Sequence, residues 1–554
     1  MFYLATDILL TNLIYILTGK YFYFKYFNLN NEDAIQSGVL GVVIVSFISL
    51  LLNFFVPLNE YLRLTYIILV IVLFLQSKLH FQNQDKVFLV ISSLFTFLLL
   101  IYSNEYRPDA GLYHIPYIQI INENKIILGL SNLHSRFGHV SIIQYLSAFN
   151  YSIFLKEFAT LIPLGSLVSF VTIYFFYDLL KYLKKKEKFT IGKLFSLIIL
   201  IYISYKINRY SEFGNDAPAH IFFFYLISYF LNIKNYSYKD LYLSSLYSVF
   251  IFSNKVFMGL SFIIPLYIFS KNLSYFKKIF FSLPTLFITL LILKNILVSG
   301  CLIYPAHSFC FENLKWSQDI EKIKSIEIEA EAWSKAWPEN KNDKLNIENF
   351  SENFNWIDAW KSKHLKFIVN LILPYIILII IIFLYIKSYS FKNKNNQIYL
   401  INYKDKKLIV IFTLSIIGII FFFLKFPIYR YGYSYVLFFI YTVSIFLVRN
   451  IDENKFYKVC TIIIIICFLS LNLKQAIRVF KNFEKSNYLP DHIVIDEKNL
   501  KTKYVQKKMS GDMNIYYSAN ECFYGKAPCT NYKENFEKID HNVKFGYDIF
   551  YIKN

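Results

Sequence analysis

The stretch KVFLVISSLFTFLLLIYSNEYRPDAGLYH, residues 86–114, decides how this chain is read. Its first part, 86–102, is an apolar run long enough to cross a hydrocarbon layer of about 30 Å as a helix rising about 1.5 Å per residue. The motif Arg107-Pro108-Asp109-Ala110-Gly111-Leu112-Tyr113-His114 follows at once. A carboxylate held where a membrane helix meets water is expensive without a purpose, so Asp109 is the leading candidate for a functional residue.

The rest of the 554 residues repeats the pattern, with 56% hydrophobic and 20% aromatic content and a mean hydropathy of +0.40. Candidate spans lie at 2–18, 37–56, 62–78, 86–102, 158–179, 190–207, 218–232, 241–254, 257–270, 279–298, 366–386, 408–425, 433–448 and 459–473, about fourteen in all. The expected fold is an all-α polytopic membrane protein. Ser253-Asn254-Lys255 between two short runs reads as a broken or re-entrant hairpin. The first run carries Asp7 and lacks a basic leader or a small-residue cleavage site, so it reads as a retained span. The formal charge of +20 comes from lysines in short loops, which the positive-inside bias explains without nucleic acid.

Those loops set the expected orientation. Residues 181–188 carry five lysines, 271–278 three and 387–407 six, which points them to the cytoplasm. By alternation 103–157, 208–217, 299–365, 426–432 and the tail after 474 face outward. The first large loop shows amphipathic patterns over 117–127 and 140–154, expected as helices along the membrane surface. The second is net acidic, with a Glu- and Lys-rich helix near 317–336 and an interfacial segment from Trp356 to Leu365. The organisation expected is thus 1–85 N-terminal helices, 86–300 a membrane module with the first outer loop at 103–157, 301–365 an outer loop, 366–473 C-terminal helices and 474–554 an outer tail.

Four of six cysteines, Cys301, Cys310, Cys522 and Cys529, fall in outward segments. Disulfides suit an oxidising compartment, and the local pairs are the simplest of the connectivities. A zinc site would require all four to converge. Cys460 and Cys467 sit in the last span as small buried hydrophobes.

Charged groups recur at outer helix ends. Asp216, in Gly214-Asn215-Asp216-Ala217-Pro218-Ala219-His220, opens a later span, and Lys255 and Arg430 lie at two further outer turns. Carboxylates there would take a proton from a hydroxyl or hold a sugar, and the cations would neutralise a phosphate. Plainer readings stand beside these. Asp216 before a Pro reads as an N-cap, Asp109 as a turn or cap residue, Lys255 as a snorkelling side chain, and Arg430 with Tyr429, Tyr431, Tyr433 and Tyr435 as an interfacial belt. His114, His134 and His139 share the first loop with Asp109 and leave a divalent metal open, with no spacing that fixes them on one face. No phosphate-binding loop, dinucleotide fingerprint or nucleophile elbow is present.

At these residues the chain resembles the GT-C superfamily of polytopic membrane glycosyltransferases, whose first outer loop carries a catalytic Asp near the end of a span. It looks closer still to an uncharacterised bacterial membrane protein family near that superfamily. The matching segments are Asp109 to His114, Asn132-Leu133-His134-Ser135-Arg136-Phe137-Gly138, Asn215 to Pro218, Ser299 to Pro305 with Trp316, and Cys522 through Thr530. The resemblance implies a GT-C-like bundle of about 12 to 14 helices in the bacterial cytoplasmic membrane. It implies a polyprenyl-phosphate-linked sugar donor and a glycan or lipid acceptor at the outer face. Asp109 and Asp216 are then the candidate catalytic residues, with Asp109 as base. Tyr113, His114, Arg136, Lys255 and Arg430 are the candidate substrate-binding residues. The chain departs from the common layout in its three preceding spans and in having one Asp where an acidic pair is usual. The alternatives are an O-antigen-type polymerase or ligase, which usually relies on outward arginines and histidines, and a transporter or flippase of lipid-linked glycan.

Overall fold

The structure, a computed structural model, describes residues 1–553 except 31, 104–107, 140, 207–212, 338–346, 388–397, 401–404, 448–449 and 484–502. Arg107, Val140, residues 208–212, most of the six-lysine loop and the start of the tail therefore lie outside the described residues.

The chain begins with α1 (Phe2–Phe27), α2 (Ala34–Asn53), α3 (Glu60–Gln76) and α4 (Asn83–Leu100), running up and down. The short α5 (Ile115–Glu123) and α6 (Ile142–Phe149) occupy the first large loop. The bundle continues with α7 (Ile162–Leu183), α8 (Ile191–Lys206), α9 (Asp216–Asn232) and α10 (Tyr238–Asn254). After it come α11 (Ile263–Phe269), α12 (Phe276–Phe280) and α13 (Leu283–Ser299). The second loop holds α14 (Ile320–Ser334), α15 (Ile347–Ser351) and α16 (Ile357–Trp360), and α17 (Lys366–Ile386), α18 (Lys406–Lys425), α19 (Tyr429–Leu447) and α20 (Glu453–Asn482) follow.

Among the described residues seven helices are long and apolar enough to cross a membrane, and eight if the segments Val256–Phe269 and Leu273–Phe280, bent by 113°, count as one crossing. Every candidate span of the sequence coincides with helical structure, but α3, α8, α9, α10 and α13 are only 16 or 17 residues long. The outer helices leave whole apolar faces uncovered, such as Ile462, Ile465, Ile466, Phe468 and Leu469 on α20. Water would penalise such a face heavily, and lipid would not.

Three ion pairs lie inside the bundle. Asp7 of α1 meets Arg63 of α3, which also donates to Thr11 at 3.0 Å. Lys20 lies 2.8 Å from Asp85, joining α1 to α4, and Lys193 lies 2.6 Å from Asp178, joining α8 to α7. An ion taken out of water needs such a partner, because its desolvation otherwise exceeds what packing returns. The tightest apolar contact is between α1 and α2. A Cβ on Gly19 would stand 1.9 Å from the Ser37 carbonyl oxygen, and one on Gly41 1.8 Å from that of Tyr15. Ser37 and Gly41 are four residues apart, the small-residue spacing that lets two helix backbones touch.

The two ends of the bundle differ in character. At one end Lys181 approaches Asp33, Lys239 pairs with Glu32 at 2.7 Å, Tyr238 donates to the Lys278 carbonyl and Lys407 to that of Leu231. The lysine-rich turns thus share an end. At the other end the first loop, the second loop and the chain after 503 are knitted together. Asn132 Nδ2 donates to the Trp316 carbonyl at 2.9 Å and Thr530 Oγ1 to that of Leu133 at 3.0 Å.

Two expectations change here. The patterns at 117–127 and 140–154 do form helices, but α5 and α6 are almost wholly buried by protein and do not lie on a lipid surface. The tail does not begin near 474, because Lys474 and Arg478 continue α20 by donating to the Tyr205 and Leu98 carbonyls at the ends of α8 and α4. Strands are few: β1 (Ile398–Leu400) pairs antiparallel with β2 (Asn450–Asp452). Beyond α20, β3 (Tyr504–Lys508) and β4 (Asn514–Ser518) are antiparallel and β5 (Cys529–Thr530) joins β4 in parallel. After α21 (Lys533–Lys538), β6 (Ile539–Lys544) and β7 (Tyr547–Ile552) form a hairpin, whose turn residues Phe545 and Gly546 both have positive φ. The Phe550 N–H donates to the Leu128 carbonyl, seating this hairpin on the first loop.

Candidate functional site

Asp109 leads a single wide turn, Ala110–His114, in π geometry, a rare local form that is frequent at functional sites. The turn runs into α5, where Pro116 in the first helical turn wastes no hydrogen bond. The Asp109 side chain makes no capping hydrogen bond, which removes the cap reading. Its carboxylate engages the Tyr113 hydroxyl one turn on, and burial together with that carboxylate raises the phenol pKa well above its usual value. His114 Nδ1 lies 2.6 Å from Gln144 Nε2. Gln144 uses its Oε1 to accept from the Ser141 N–H, so the amide nitrogen donates and the His114 proton sits on Nε2. Burial pushes the His114 pKa down to about 4, against the pull of Asp109 and Asp216.

Asp216 is the first residue of α9 and caps nothing; Asn215 holds the cap position without a side-chain bond. Its carboxylate instead pairs with Lys255 Nζ through one oxygen and lies 3.7 Å from Arg430 Nε through the other. Lys255 reaches it because the backbone leaves α10 extended, at φ −146° and ψ 107°. The lysine therefore does not snorkel. Its ammonium sits 3.6 Å from the Tyr431 ring centroid. Arg430 Nη2 donates to the Tyr431 hydroxyl at 3.1 Å, and its guanidinium lies 5.3 Å from the Trp333 ring at the end of α14. His220, one helical turn after Asp216, donates from Nε2 to the Arg430 carbonyl at 2.9 Å and stacks on Tyr433 at 3.8 Å. That fixes where α19 begins relative to α9.

The two halves meet. His114 is within electrostatic reach of Asp109, Asp216, Arg136 and Arg430, and Arg430 within reach of both carboxylates. Arg136, exposed, approaches the Tyr113 ring to 5.9 Å. All seven candidate catalytic and substrate-binding residues thus belong to one cluster, built from the first loop, α9, α10 and α19. The result is two carboxylates and three basic side chains around a neutral imidazole, a set able to take a proton and to hold a phosphate.

The belt reading fails for the tyrosines. Tyr435 is fully buried and donates to the Phe257 carbonyl, Tyr433 stacks on His220, and Tyr429 lies 2.7 Å from the Tyr202 hydroxyl. The metal left open by the sequence gains no ligand set, since no three His, Cys, Asp or Glu converge among the described residues. His134 is occupied by Asn531 and stacked on Tyr532, and His139 packs edge-on against Tyr304. Trp333 and His220 carried no role in the sequence reading, and Tyr431 only that of a belt residue. His220 at four residues from Asp216 shares its helix face, the one signal that pointed to it.

The family model described as Domain of unknown function (DUF8201) matches residues 1–437. The chain belongs to the DUF8201 family. No curated protein and no solved structure matches it. Every candidate catalytic and substrate-binding residue lies inside the DUF8201 region.

The structure pairs Cys301 with Cys310 and Cys522 with Cys529, and leaves Cys460 and Cys467 as buried free thiols. The first bond closes the loop that carries Tyr304 against Gly138, where a Cβ would stand 2.6 Å from the ring. The second lies beyond the DUF8201 region yet reaches back to it. The Cys522 and Phe523 N–H groups both donate to the Gly111 carbonyl, at 3.1 and 2.9 Å, and Gly111 must lack a side chain because the Phe523 ring stands 2.6 Å from where its Cβ would be. Gln119 Nε2 adds a bond to the Gly525 carbonyl at 3.1 Å. The turn that carries Asp109 is therefore held from above by the disulfide loop.

Proposed function

We propose that this protein is a GT-C-like membrane glycosyltransferase that moves a sugar from a polyprenyl-phosphate-linked donor to a cell-surface glycan or lipid at the outer face of the bacterial cytoplasmic membrane. The observation that carries this reading is the convergence of Asp109, Asp216, Lys255 and Arg430 at the bundle end opposite the lysine-rich turns. The positive-inside bias assigns that end to the outside.

In this reading the acceptor hydroxyl oxygen attacks the anomeric carbon while its proton passes to Asp109. The bond from that carbon to the phosphate oxygen breaks, and polyprenyl phosphate leaves with the electron pair. Arg430 and Lys255 meet the charge that develops there. Asp216 engages both cations through its two oxygens, so its part is to position them rather than to accept a proton. His114 is neutral at neutral pH and offers its Nε2–H as a donor to a sugar hydroxyl.

The test is Asp109→Asn in the producing cell, with protein level and surface glycans measured together. The expected result is loss of one glycan or glycolipid by at least about 100-fold at unchanged protein level. An unchanged glycan profile sinks the assignment. The polymerase or ligase reading is favoured by one observation, the presence of Arg136, Arg430 and His114 around the cluster. It predicts glycan chains of altered length on Arg136→Ala, with Asp109→Asn close to wild type.

A further inference from the structure

Five tryptophans are present, and four of them are buried or half-buried. Trp333 is the exception, 49% exposed between Ala332 and Ser334, which are both fully buried. Its indole stands at the rim of the charge cluster, 5.3 Å from the Arg430 guanidinium, which in turn lies 5.0 Å from the Tyr431 ring. Tyr431 carries the Lys255 ammonium on its face at 3.6 Å. Cations and rings thus alternate from Asp216 outward and end on an uncovered indole.

A large aromatic ring left half exposed, with a cation on one face only, is unfavourable in water unless something covers the rest of it. Around it the end of the helix is polar, with Glu331 bonded to Lys335 and to Lys425, and its exposure sets it apart from core packing. An aromatic face beside a phosphate-binding cation is the arrangement that recognises a sugar phosphate. The ring takes the C–H face of the sugar, and the guanidinium takes the phosphate one bond away.

Resting on the glycosyltransferase reading, we propose that Trp333 is the platform for the sugar ring of the lipid-linked donor, with Arg430 beneath it holding the phosphate attached to that ring. Trp333 acts by binding and leaves the chemical step to Asp109. Its loss raises the donor concentration needed and leaves the turnover of bound donor nearly intact.

The experiment uses the full chain purified in detergent, with lipid-linked sugar extracted from the producing cells as donor and membranes of those cells as acceptor. Trp333→Ala is expected to raise the apparent KM for donor about tenfold with kcat within about threefold, and Trp333→Phe to recover most of that loss. An unchanged KM in Trp333→Ala, with Asp109→Asn inactive, overturns the platform and leaves the glycosyltransferase reading standing. Equal losses in the Ala and Phe variants at an unchanged KM assign Trp333 to packing and overturn it as well. Full activity of Asp109→Asn in the same assay removes the glycosyltransferase reading itself.

Discussion

Two histidines near Asp109 make the first loop sensitive to acid. Burial holds His114 at about 4, where Asp109 and Asp216 oppose the shift and Arg136 and Arg430 add to it, and burial with Arg136 holds His134 at about 3. Both values lie below the usual 6.5, so the unfolded chain binds more protons than the folded one between those limits. The stability contributed by the neutral rings is complete above pH 6.5 and is lost as the pH falls toward 4. In the window from 6.5 to 5, above the usual carboxylate range, each ring contributes a slope of up to about 1.4 kcal/mol per pH unit. Thermal unfolding in detergent across that window should show a falling Tm for the wild type and a shallower fall for His114→Gln. Parallel curves would show that His114 is not held neutral by the fold. The site itself was legible in part. Asp109, Asp216, Lys255 and Arg430 stood out because a charge beside an apolar run is unusual, and their chemistry could be read from residue type. What could not be read was their pairing, because Asp216, Lys255 and Arg430 come from three helices separated by tens to hundreds of residues. Their plainer roles as cap, snorkelling chain and belt fail only once those partners are known.

At the scale of elements, helix positions followed from the apolar runs, since a membrane span is encoded locally by length and hydropathy. Helix contacts did not, because the residues that set them are small or polar and leave no periodic mark. The approach of α1 and α2 is the sharpest case, with each backbone passing against a glycine of the other. Alanine at Gly41 would place a methyl group 1.8 Å from the Tyr15 carbonyl oxygen, and rigid helix backbone cannot yield locally. Gly259 is the control, since its Cβ would meet the Phe252 ring at 3.4 Å, an ordinary contact. Gly41→Ala should lower unfolding stability by about 2 kcal/mol despite its better helix propensity, and Gly259→Ala should fall within about 0.5 kcal/mol of wild type. Denaturant titration in a single detergent reads both. Equal stabilities for the two variants would mean that α1 and α2 do not touch backbone to backbone.

At the scale of the molecule, the site is completed by a part of the chain that lies after the DUF8201 region. The β3–β4–β5 sheet and the β6–β7 hairpin sit over the first loop, and the loop closed by Cys522 and Cys529 grips Gly111 by two backbone hydrogen bonds. Tyr504 donates to the Cys522 carbonyl at 2.9 Å, so the sheet braces the disulfide loop from behind. Among the described residues the turn at Asp109 is a single π turn that leads into the short α5. A segment of that kind opens locally at low free energy unless contacts from elsewhere restrain it. Cutting the crosslink by Cys522→Ser frees the loop without removing the sheet. Hydrogen exchange of the peptide covering 108–123 should then speed up by at least about tenfold, while peptides from α1 and α2 keep their wild-type rates. If the proposed glycosyltransferase function holds, the activity should fall with it, because a base displaced by about 1 Å loses on the order of 100-fold in rate. Exchange at 108–123 unchanged from wild type would place the restraint within the first loop itself, and the C-terminal sheets would then have no part in positioning Asp109.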